Sequence, residues 1–272
     1  MGAAPQISII MPSFRDARIL DAIASVRAFD DIDAVRVVVI DGGSPEELVD
    51  RIATALGPCD ILLSERDRGI FDALNKGLDR VTTPYLGWLG SDDFMTGEVL
   101  ASDVVRALED ADLFIASTVM FSDDRVLRKT HAWPAAHGLA RFGLHNPHYS
   151  TFGRTSLLGA ERFVHGDIAA DIDYFLRVFA RRPRVAHTDR VALLMAAGGF
   201  SNNSVDRVVK VNRRVFAIYR RHGNMVAALL GIAVKTVYKV AGAGFYAARR
   251  RRWRDLFPRA AAFGRSAGGM AA

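Results

Sequence analysis

Residues 35–44, VRVVVIDGGS, join a short run of mostly β-branched residues to a polar turn. A continuous apolar run of this length is typical of a strand that is buried on both faces of a sheet. Similar runs occur at 7–11, 61–63 and 85–89. Longer stretches with helical spacing separate them: 17–29, 45–56 and 70–81. The alternation predicts βαβ units, and therefore an α/β fold with a mostly parallel sheet covered by helices.

Polar residues follow each of the four predicted strands: Pro12–Arg15, Asp41–Ser44, Ser64–Asp67 and Gly90–Asp93. Parallel strands place their carboxyl ends at one edge of a sheet, and open α/β sheets bind ligands there. The glycines beside Asp41 permit a ligand to approach the backbone. Ser44 is a plausible N-cap for a helix that Pro45 opens, and a helix N-terminus favours anions. We therefore expect the four loops to crowd one ligand-binding edge of the sheet.

The second half of the chain is less regular. Residues 112–121 are typical of another strand, whereas residues 125–155 show no sustained period. Residues 169–181 have helical spacing with an apolar face. Two further helices are predicted, a basic one at 205–221 and an apolar one at 224–248.

The composition indicates a globular chain with an unusual charge distribution. Half of the 272 residues are hydrophobic, which is enough to bury one large core. The single cysteine, Cys59, excludes an internal disulfide and a cysteine-based zinc site. Residues 1–200 hold 21 basic and 28 acidic residues, whereas residues 201–272 hold 15 basic and only two acidic residues. Such a basic tail favours an anionic partner, either nucleic acid or an anionic membrane surface.

Two groups of polar residues suggest chemistry. Asp92 and Asp93 are adjacent carboxylates that repel one another unless a cation lies nearby, and Mg²⁺ or Mn²⁺ prefers such oxygen ligands. A solvated helix-capping turn is the alternative for these two residues. Asp72, Asn75 and Lys76 lie three and four residues apart, so they share one helical face. Ordinary charge pairing on a surface helix is the alternative there.

Four segments, taken in order, resemble the family 2 glycosyltransferases: ISIIMPSFR at 7–15, VVVIDGGS at 37–44, SERDRGIFDALNKG at 64–77 and YLGWLGSDD at 85–93. The third is most similar to a signature of the bacterial polysaccharide-biosynthesis branch, which has Tyr and Met at the positions of Phe71 and Leu74. The resemblance spans roughly residues 6–200. It implies a GT-A fold with a Rossmann-like sheet, and an inverting transfer of a sugar from a nucleoside diphosphate, with uridine diphosphate favoured.

The resemblance also implies which residues bind the donor and a metal ion. The expected nucleotide-sugar-binding residues are Pro12, Ser13, Phe14, Arg15 and Asp41 at the nucleoside, and Asp67, Asn75 and Lys76 near the nucleotide or its diphosphate. Asp92 is expected to face the ribose, and Asp93 to bind Mn²⁺ or Mg²⁺, which neutralises the departing diphosphate. Residues 145–152, HNPHYSTF, resemble a His-containing strand of the same branch, so His148 is expected to touch the donor phosphates or the acceptor.

The general base of this family lies in a late helix, often in a Glu-Asp pair. Ala170 and Asp171 occupy the matching positions, so the resemblance implies that Asp171 deprotonates the acceptor hydroxyl as it attacks the anomeric carbon. Asp173 is the rival base, but two residues further along a helix it points elsewhere. A single displacement without a covalent intermediate inverts the anomeric configuration, by the logic that applies to inverting glycosidases.

The predicted helix at 224–248 has no uncharged run long enough to span a bilayer. Lys235 and Lys239 lie on one of its faces, as expected for a helix in the membrane interface. Residues 249–254 add five arginines around Trp253, which fits a Trp at headgroup depth beside an anionic leaflet. We therefore expect a membrane-surface tail, with packing on the core or an oligomer interface as the alternatives.

These expectations divide the chain into a catalytic domain at 1–204 and a basic helical tail at 205–272. Within the catalytic domain, residues 1–110 form the nucleotide-sugar part and residues 111–204 the acceptor part. The polar N-terminus lacks a signal-peptide core and the single thiol fits a reducing compartment, so we expect a cytoplasmic enzyme, peripheral on the inner face of the plasma membrane. Its acceptor is expected to be polyprenyl-linked or a glycan, in cell-surface polysaccharide synthesis.

Two functions of other classes are the alternatives. A nucleotide-sugar-binding protein without transferase activity is favoured only by the missing acid at Ala170. A nucleic-acid-binding protein would use the basic tail to hold phosphates, but the carboxylates of the four loops would repel the polyanion. No nucleic-acid partner is therefore expected.

Overall fold

The computed structural model describes residues 4–132, 148–197, 205–222, 229 and 252–263. The strands form one nine-stranded sheet: β1 Ile7–Ser13, β2 Val35–Asp41, β3 Ile61–Ser64, β4 Tyr85–Trp88, β5 Phe94–Met95, β6 Leu113–Ser122, β7 Arg125–Thr130, β8 Thr151–Arg154 and β9 Val185–Ala196. The helices are α1 Ile19–Phe29, α2 Glu46–Ala55, α3 Ile70–Leu78, α4 Ala101–Asp110, α5 Thr155–Leu158, α6 Ala170–Ala180, α7 Val205–Arg221, α8 Trp253–Leu256 and α9 Pro258–Ala261. A 3₁₀ turn at His148–Ser150 precedes β8.

The first half of the sheet has the predicted parallel arrangement. β3, β2, β1 and β4 lie side by side in that order and run in one direction. Every residue of β1 is buried, with Ile9 in the core on one face and Ile10 in the core on the other. The register pairs Ser13 with Asp41 and Asp41 with Ser64, so these three strands end together. The expectation that their polar loops meet at one edge is confirmed.

The second half adds strands of both directions. β8 is antiparallel to β4 and β6, while β6 and β9 run parallel to the first four strands. β5 and β7 are antiparallel to β9 and β6, respectively. The sheet is therefore mostly parallel, as predicted. The elements that were not predicted are β5, β7, β9, α4, α5, α8 and α9. Only the second half of β9 is well buried, so it leaves a short apolar run in the sequence.

The basic helix α7 packs on α6. Its bounds match the helix predicted at 205–221. Val215, Ile218 and Tyr219 of α7 are buried together with Ala169 and Ile172 at the start of α6. The part of the basic tail that comes first in the chain is therefore attached to the helix that carries the predicted base.

The last described segment of the tail packs on the sheet. Trp253 is 1% exposed, and its ring centroid lies 6.3 Å from that of Phe94 and 5.1 Å from that of Phe121. Its indole N–H donates a 2.9 Å hydrogen bond to the Asp123 carbonyl. The expectation that Trp253 lies at headgroup depth is therefore wrong, because an aromatic ring beside arginines can also fill a core. Residues 224–248, apart from Leu229, lie outside the described part of the chain. Among the described residues, no helix is long and apolar enough to cross a membrane.

Candidate active site

Asp41 connects the loops that follow β1, β2 and β3. Its Oδ2 accepts hydrogen bonds from the N–H groups of Gly43 and Ser44 and from the Ser64 hydroxyl, at 3.1, 2.9 and 2.7 Å. Its Oδ1 accepts one from the Ser44 hydroxyl, whose oxygen accepts the Arg15 N–H at 2.7 Å. Burial opposes ionisation, but these hydrogen bonds outweigh it and lower the pKa of Asp41. Asp41 thus joins the three loops, with Ser44 as its link to Arg15, and the expectation that Ser44 caps α2 is wrong.

The end of β1 presents an aromatic ring, a cation and a hydroxyl. Phe14 is 59% exposed, and the Arg15 guanidinium carbon lies 5.2 Å from the centroid of its ring. Arg15 has a φ of 53°, a left-handed conformation that turns the chain at the end of the strand. Pro12 and Ser13 are buried within β1, and the Ser13 hydroxyl has no hydrogen-bond partner among the described residues. Phe14 and Arg15 are therefore accessible to a ligand, and Ser13 carries an unused polar group.

The loop after β3 approaches the loop after β2 at Gly42. A Cβ atom at Gly42 would lie 2.5 Å from Asp67 Oδ2, so a larger residue would displace this carboxylate. Asp67 Oδ1 accepts a 2.8 Å hydrogen bond from the N–H of Gly69, whose φ of 106° turns the chain into α3. The predicted site residues Asp41 and Asp67 therefore lie on loops in direct contact.

The predicted site residues of α3 bind other parts of the protein. Lys76 Nζ lies 2.7 Å from Glu65 Oε1 and donates a 3.0 Å hydrogen bond to the Arg66 carbonyl. Asn75 is buried, and its amide exchanges two 2.9 Å hydrogen bonds with the backbone N–H and C=O of Phe163. Lys76 thus holds the loop after β3, and Asn75 holds the segment that leads to α6. Contact of either residue with a nucleotide stays a prediction.

Asp92 and Asp93 follow β4 after a turn at Gly90. A Cβ atom at Gly90 would lie 2.6 Å from a carboxylate oxygen of Asp93 and 3.2 Å from one of Asp92, so both carboxylates fold back over this glycine. Asp93 is 4% exposed, and its Oδ1 accepts the N–H of Ala196 at 2.9 Å. Burial, followed by the charge of Asp92, raises the pKa of Asp93 well above its usual range. The chain continues into β5, which removes the alternative of a helix-capping turn.

A cation that the sequence analysis missed lies beside this acidic pair. Arg18 Nη2 lies 3.6 Å from Asp92 Oδ2, and two nitrogens of its guanidinium donate to the Asp16 carboxylate at 2.9 and 2.8 Å. The Ser91 hydroxyl donates to the same Asp16 carboxylate at 3.0 Å. These contacts join the loop after β1 to the acidic loop after β4. The sequence signal was weak, because an acid and an arginine two residues apart are common on any surface.

The donor atoms of the acidic pair fit a divalent cation. Mg²⁺ and Mn²⁺ bind carboxylate oxygens and often share substrate phosphates. Asp92 and Asp93 supply two carboxylates, and burial raises the pKa of both. A bound cation would relieve this unfavourable burial of charge. The described residues hold no group of three or more His, Cys, Asp or Glu suited to enclosing a metal ion. The pair therefore fits a metal ion whose remaining ligands come from a substrate and water.

Asp171 lies in the first turn of α6, within electrostatic reach of the same region as the acidic pair. Burial, and then the charges of Asp93, Asp171 and Asp92, raise the pKa of Tyr149. Coulomb interactions weaken with distance, so all three carboxylates lie within electrostatic range of the Tyr149 phenol. The structure thus brings the predicted base and the predicted metal ligand into one neighbourhood.

Asp173, the rival base, is engaged by other side chains. Its Oδ1 lies 3.0 Å from His222 Nε2, and its Oδ2 accepts a hydrogen bond from Arg177 Nε at 3.2 Å. Burial opposes ionisation, but His222 and Arg177 lower the pKa of Asp173. A carboxylate with a lowered pKa and both oxygens bonded is a poor proton acceptor, which makes Asp173 a poor candidate for the base.

The predicted histidine contacts lie outside the described part of the chain. Residues 133–147, which include His145, and the side chain of His148 are not among the residues that the structure describes. The backbone of His148 begins the 3₁₀ turn that leads into β8. A contact of His148 with the donor phosphates or the acceptor stays a prediction.

Comparison with known proteins identifies the family. A family model described as glycosyl transferase family 2 matches residues 8–170. The chain belongs to the family 2 glycosyltransferases. The PGL/p-HBAD biosynthesis glycosyltransferase of Mycobacterium bovis (strain BCG) is 30% identical over 217 residues, which cover 75% of this chain and 82% of that relative. An uncharacterised glycosyltransferase of Mycobacterium tuberculosis is 27% identical over 267 residues, covering 95% of this chain and 99% of that relative.

Solved structures share the GT-A fold of this glycosyltransferase. The mannosyltransferase PcManGT from Pyrobaculum calidifontis, in complex with GDP-Man and Mn²⁺, has a TM-score of 0.57 and 17% identity, and the match covers 99% of this chain and 77% of that one. TarS 1–349 of S. aureus, in complex with UDP-GlcNAc, has a TM-score of 0.55 and 16% identity, covering 78% of this chain and 65% of that one. At these identities the likeness establishes the fold alone.

Proposed function

We propose that this glycosyltransferase moves a sugar from a nucleoside diphosphate to an acceptor hydroxyl in one displacement that inverts the anomeric configuration. The observation that carries the proposal is the acidic pair after β4, in which Asp93 is buried and both carboxylates fold back over Gly90 at the sheet edge where the polar loops meet. A displacement of this kind needs a charged site for the leaving diphosphate and a separate base for the acceptor. The acidic pair would meet the first need by holding a divalent cation, and Asp171 suits the second.

The loops after β1, β2 and β3 are the proposed nucleoside site. The exposed ring of Phe14 offers a face for stacking, and the buried Ser13 hydroxyl of the same strand end lacks a hydrogen-bond partner among the described residues. Asp41 and Asp67 hold the neighbouring loops in place and present carboxylates at the same edge. The solved proteins of the same fold bind UDP-GlcNAc or GDP-Man, which supports a nucleoside diphosphate sugar as the donor. We favour a uridine diphosphate carrier, as the family resemblance implies.

Each acidic residue has one proposed task. Asp93 would hold Mn²⁺ or Mg²⁺, and Asp92 would face the ribose. A divalent ion bound there neutralises charge on the departing diphosphate. Asp171 accepts the proton of the acceptor hydroxyl while the oxygen bonds to the anomeric carbon and the bond to the diphosphate breaks. Arg18 restrains Asp16 and Asp92, so the acidic loop keeps its position during the reaction.

The acceptor is proposed to be a lipid-linked or glycan hydroxyl in the synthesis of a cell-surface polysaccharide or glycolipid. The mycobacterial relative named for PGL/p-HBAD biosynthesis supports a glycoconjugate product. Lys210, Arg220 and Arg221 are exposed on α7, and cations of this kind attract anionic lipid headgroups. We propose that residues 205–272 hold the enzyme peripherally on the inner face of the plasma membrane.

A donor screen tests the proposal. Purified protein is heated with Mn²⁺ and, in turn, UDP-glucose, UDP-GlcNAc and GDP-mannose. A donor at about 100 times its Kd stabilises the native state by about 2.7 kcal/mol, which raises the Tm by roughly 5–10 °C. We expect this increase with one donor, its loss with a chelator, and a transfer product of inverted configuration by NMR. An increase that survives chelation contradicts the metal role, and a product of retained configuration contradicts the single displacement.

A further inference from the structure

Helix α7 contacts the helix of the proposed base on both sides of Asp171. We propose that α7 positions Asp171 for catalysis, with Arg214 and His222 as its positioning residues. The inference rests on the proposed role of Asp171 as the base. It assigns a catalytic task to a segment beyond residues 8–170, which are the part matched by the family model.

The first contact lies before Asp171 in the chain. Arg214 Nε donates a 2.7 Å hydrogen bond to Asp167 Oδ2, and its Nη2 lies 2.5 Å from the same oxygen. The Asp167 side chain is only 3% exposed, so Arg214 compensates a carboxylate that water barely reaches. Asp167 Oδ1 accepts the N–H of Ala169, and its carbonyl accepts the N–H of Ala170, both at 3.1 Å. Arg214 therefore fixes the residue that shapes the start of α6.

The second contact is apolar and lies beside Asp171. Ile172 and Ala169 pack against Val215, Ile218 and Tyr219 of α7 in one buried cluster. Tyr219 is 2% exposed, and burial followed by the charge of Asp171 raises its pKa. Tyr219 of this cluster therefore lies close enough to Asp171 for the two side chains to interact electrostatically.

The third contact lies after Asp171. His222, at the end of α7, places Nε2 3.0 Å from Asp173 Oδ1. Together the three contacts hold Asp167, Ile172 and Asp173, which lie on both sides of Asp171 in the chain. Because a helix advances about 100° per residue, restraining neighbours on both sides fixes the direction of the Asp171 Cα–Cβ bond and so limits the region that its carboxylate can reach.

This direction matters because a general base works only within hydrogen-bond reach of the proton that it removes. A misplacement of about 1 Å can lower the rate by about 100-fold. The proposed donor site lies on the loops after β1 to β4, whereas the α7 contacts described above reach residues 167–173. Loosening α7 should therefore lower kcat and leave the donor Kd unchanged.

The test compares four variants of the full chain: Arg214→Ala, Arg214→Lys, His222→Gln and, as a matched control, Arg213→Ala. Arg213 is exposed on the same helix and adjacent to Arg214. His222→Gln keeps a polar group, and Asp173 retains Arg177, so this variant should fold even if Arg214→Ala does not. The assay follows release of the nucleoside diphosphate with Mn²⁺, water as acceptor, and whichever of UDP-glucose, UDP-GlcNAc and GDP-mannose stabilises the protein.

We expect Arg214→Ala and His222→Gln to lower kcat by about 10-fold or more while the donor Kd stays unchanged. Arg214→Lys should lose less activity than Arg214→Ala, and Arg213→Ala should match wild type. If Arg214 and His222 act through Asp171, the loss from His222→Gln should disappear in an Asp171→Asn background. Three results would overturn the positioning role. The first is an unchanged kcat in both His222→Gln and Arg214→Lys, and the second is a loss of activity that is matched by weaker donor binding. The third is a loss of kcat from His222→Gln that is just as large in the Asp171→Asn background. Full activity of Asp171→Asn alone instead overturns the proposed base, which separates the two failures.

Discussion

Replacing Asn75 with alanine should destabilise this glycosyltransferase even when no donor is present. The change removes both 2.9 Å hydrogen bonds to the backbone N–H and C=O of Phe163, a residue that is 4% exposed. A buried polar group left unpaired costs about 1–3 kcal/mol, so the two groups together should cost about 2–4 kcal/mol after partial relaxation. For a chain of this size, that loss lowers the Tm by roughly 5–10 °C.

Calorimetry without donor measures the effect. Lys76→Ala is the matched control on the same helix, because it removes a partly exposed ion pair with Glu65 that should contribute less than about 1 kcal/mol. Asn75→Asp should be at least as destabilising as Asn75→Ala, since a buried carboxylate accepts the Phe163 N–H but repels the Phe163 carbonyl oxygen to which the amide donated. A wild-type Tm for Asn75→Ala, combined with weaker donor binding, would show that Asn75 serves the nucleotide and refute the reasoning.

Asp93→Asn should abolish Mn²⁺-dependent stabilisation by the donor, because an amide cannot replace the buried anionic ligand; wild-type stabilisation in a thermal scan would contradict the metal role. Trp253→Ala should cost about 3–5 kcal/mol of unfolding free energy and leave vesicle sedimentation unchanged, since the ring is 1% exposed. Burial opposes ionisation, but hydrogen bonds from Lys129 and His131 lower the pKa of Asp189 to about 2. The resulting stabilisation is complete above an unfolded-state pKa of about 4 and is lost as the pH falls towards 2, so the Tm difference between wild type and Asp189→Asn should narrow over that range. A Tm difference between wild type and Asp189→Asn that stays constant from pH 6 to pH 2 would count against the contacts of Asp189 with Lys129 and His131.

The strands that carry the donor loops could be predicted because Ile7–Ser13 and Val35–Asp41 are buried on both faces. Burial on both faces leaves a continuous apolar run, and parallel strands end at one edge, so the position of the acidic loops follows. β9 gives no such signal, because its first half includes exposed polar residues such as His187 and Arg190. Where a strand lies partly in solvent, its apolar run is too short to reveal its length.

The contacts that complete the site could not be predicted, because they join residues far apart in the chain. Arg18 beside Asp92 and Asn75 against Phe163 are polar residues that would suit an exposed helix equally well. Trp253 stands among arginines, a pattern shared by interfacial anchors and by core residues with charged neighbours. Local composition indicates that such a residue is polar or aromatic, but only the folded chain shows which distant group it contacts.

The rate of the Asp171→Asn variant tests the central claim most directly. The amide keeps the shape of the side chain and cannot accept the acceptor proton as a carboxylate does. A positioned general base contributes about 100-fold to 10,000-fold, so diphosphate release and sugar transfer should fall by at least about 100-fold. Metal-dependent stabilisation by the donor should match wild type, because the proposed donor site lies on the loops after β1 to β4 and does not include Asp171. A wild-type rate at unchanged donor binding would contradict the assignment of Asp171 as the base.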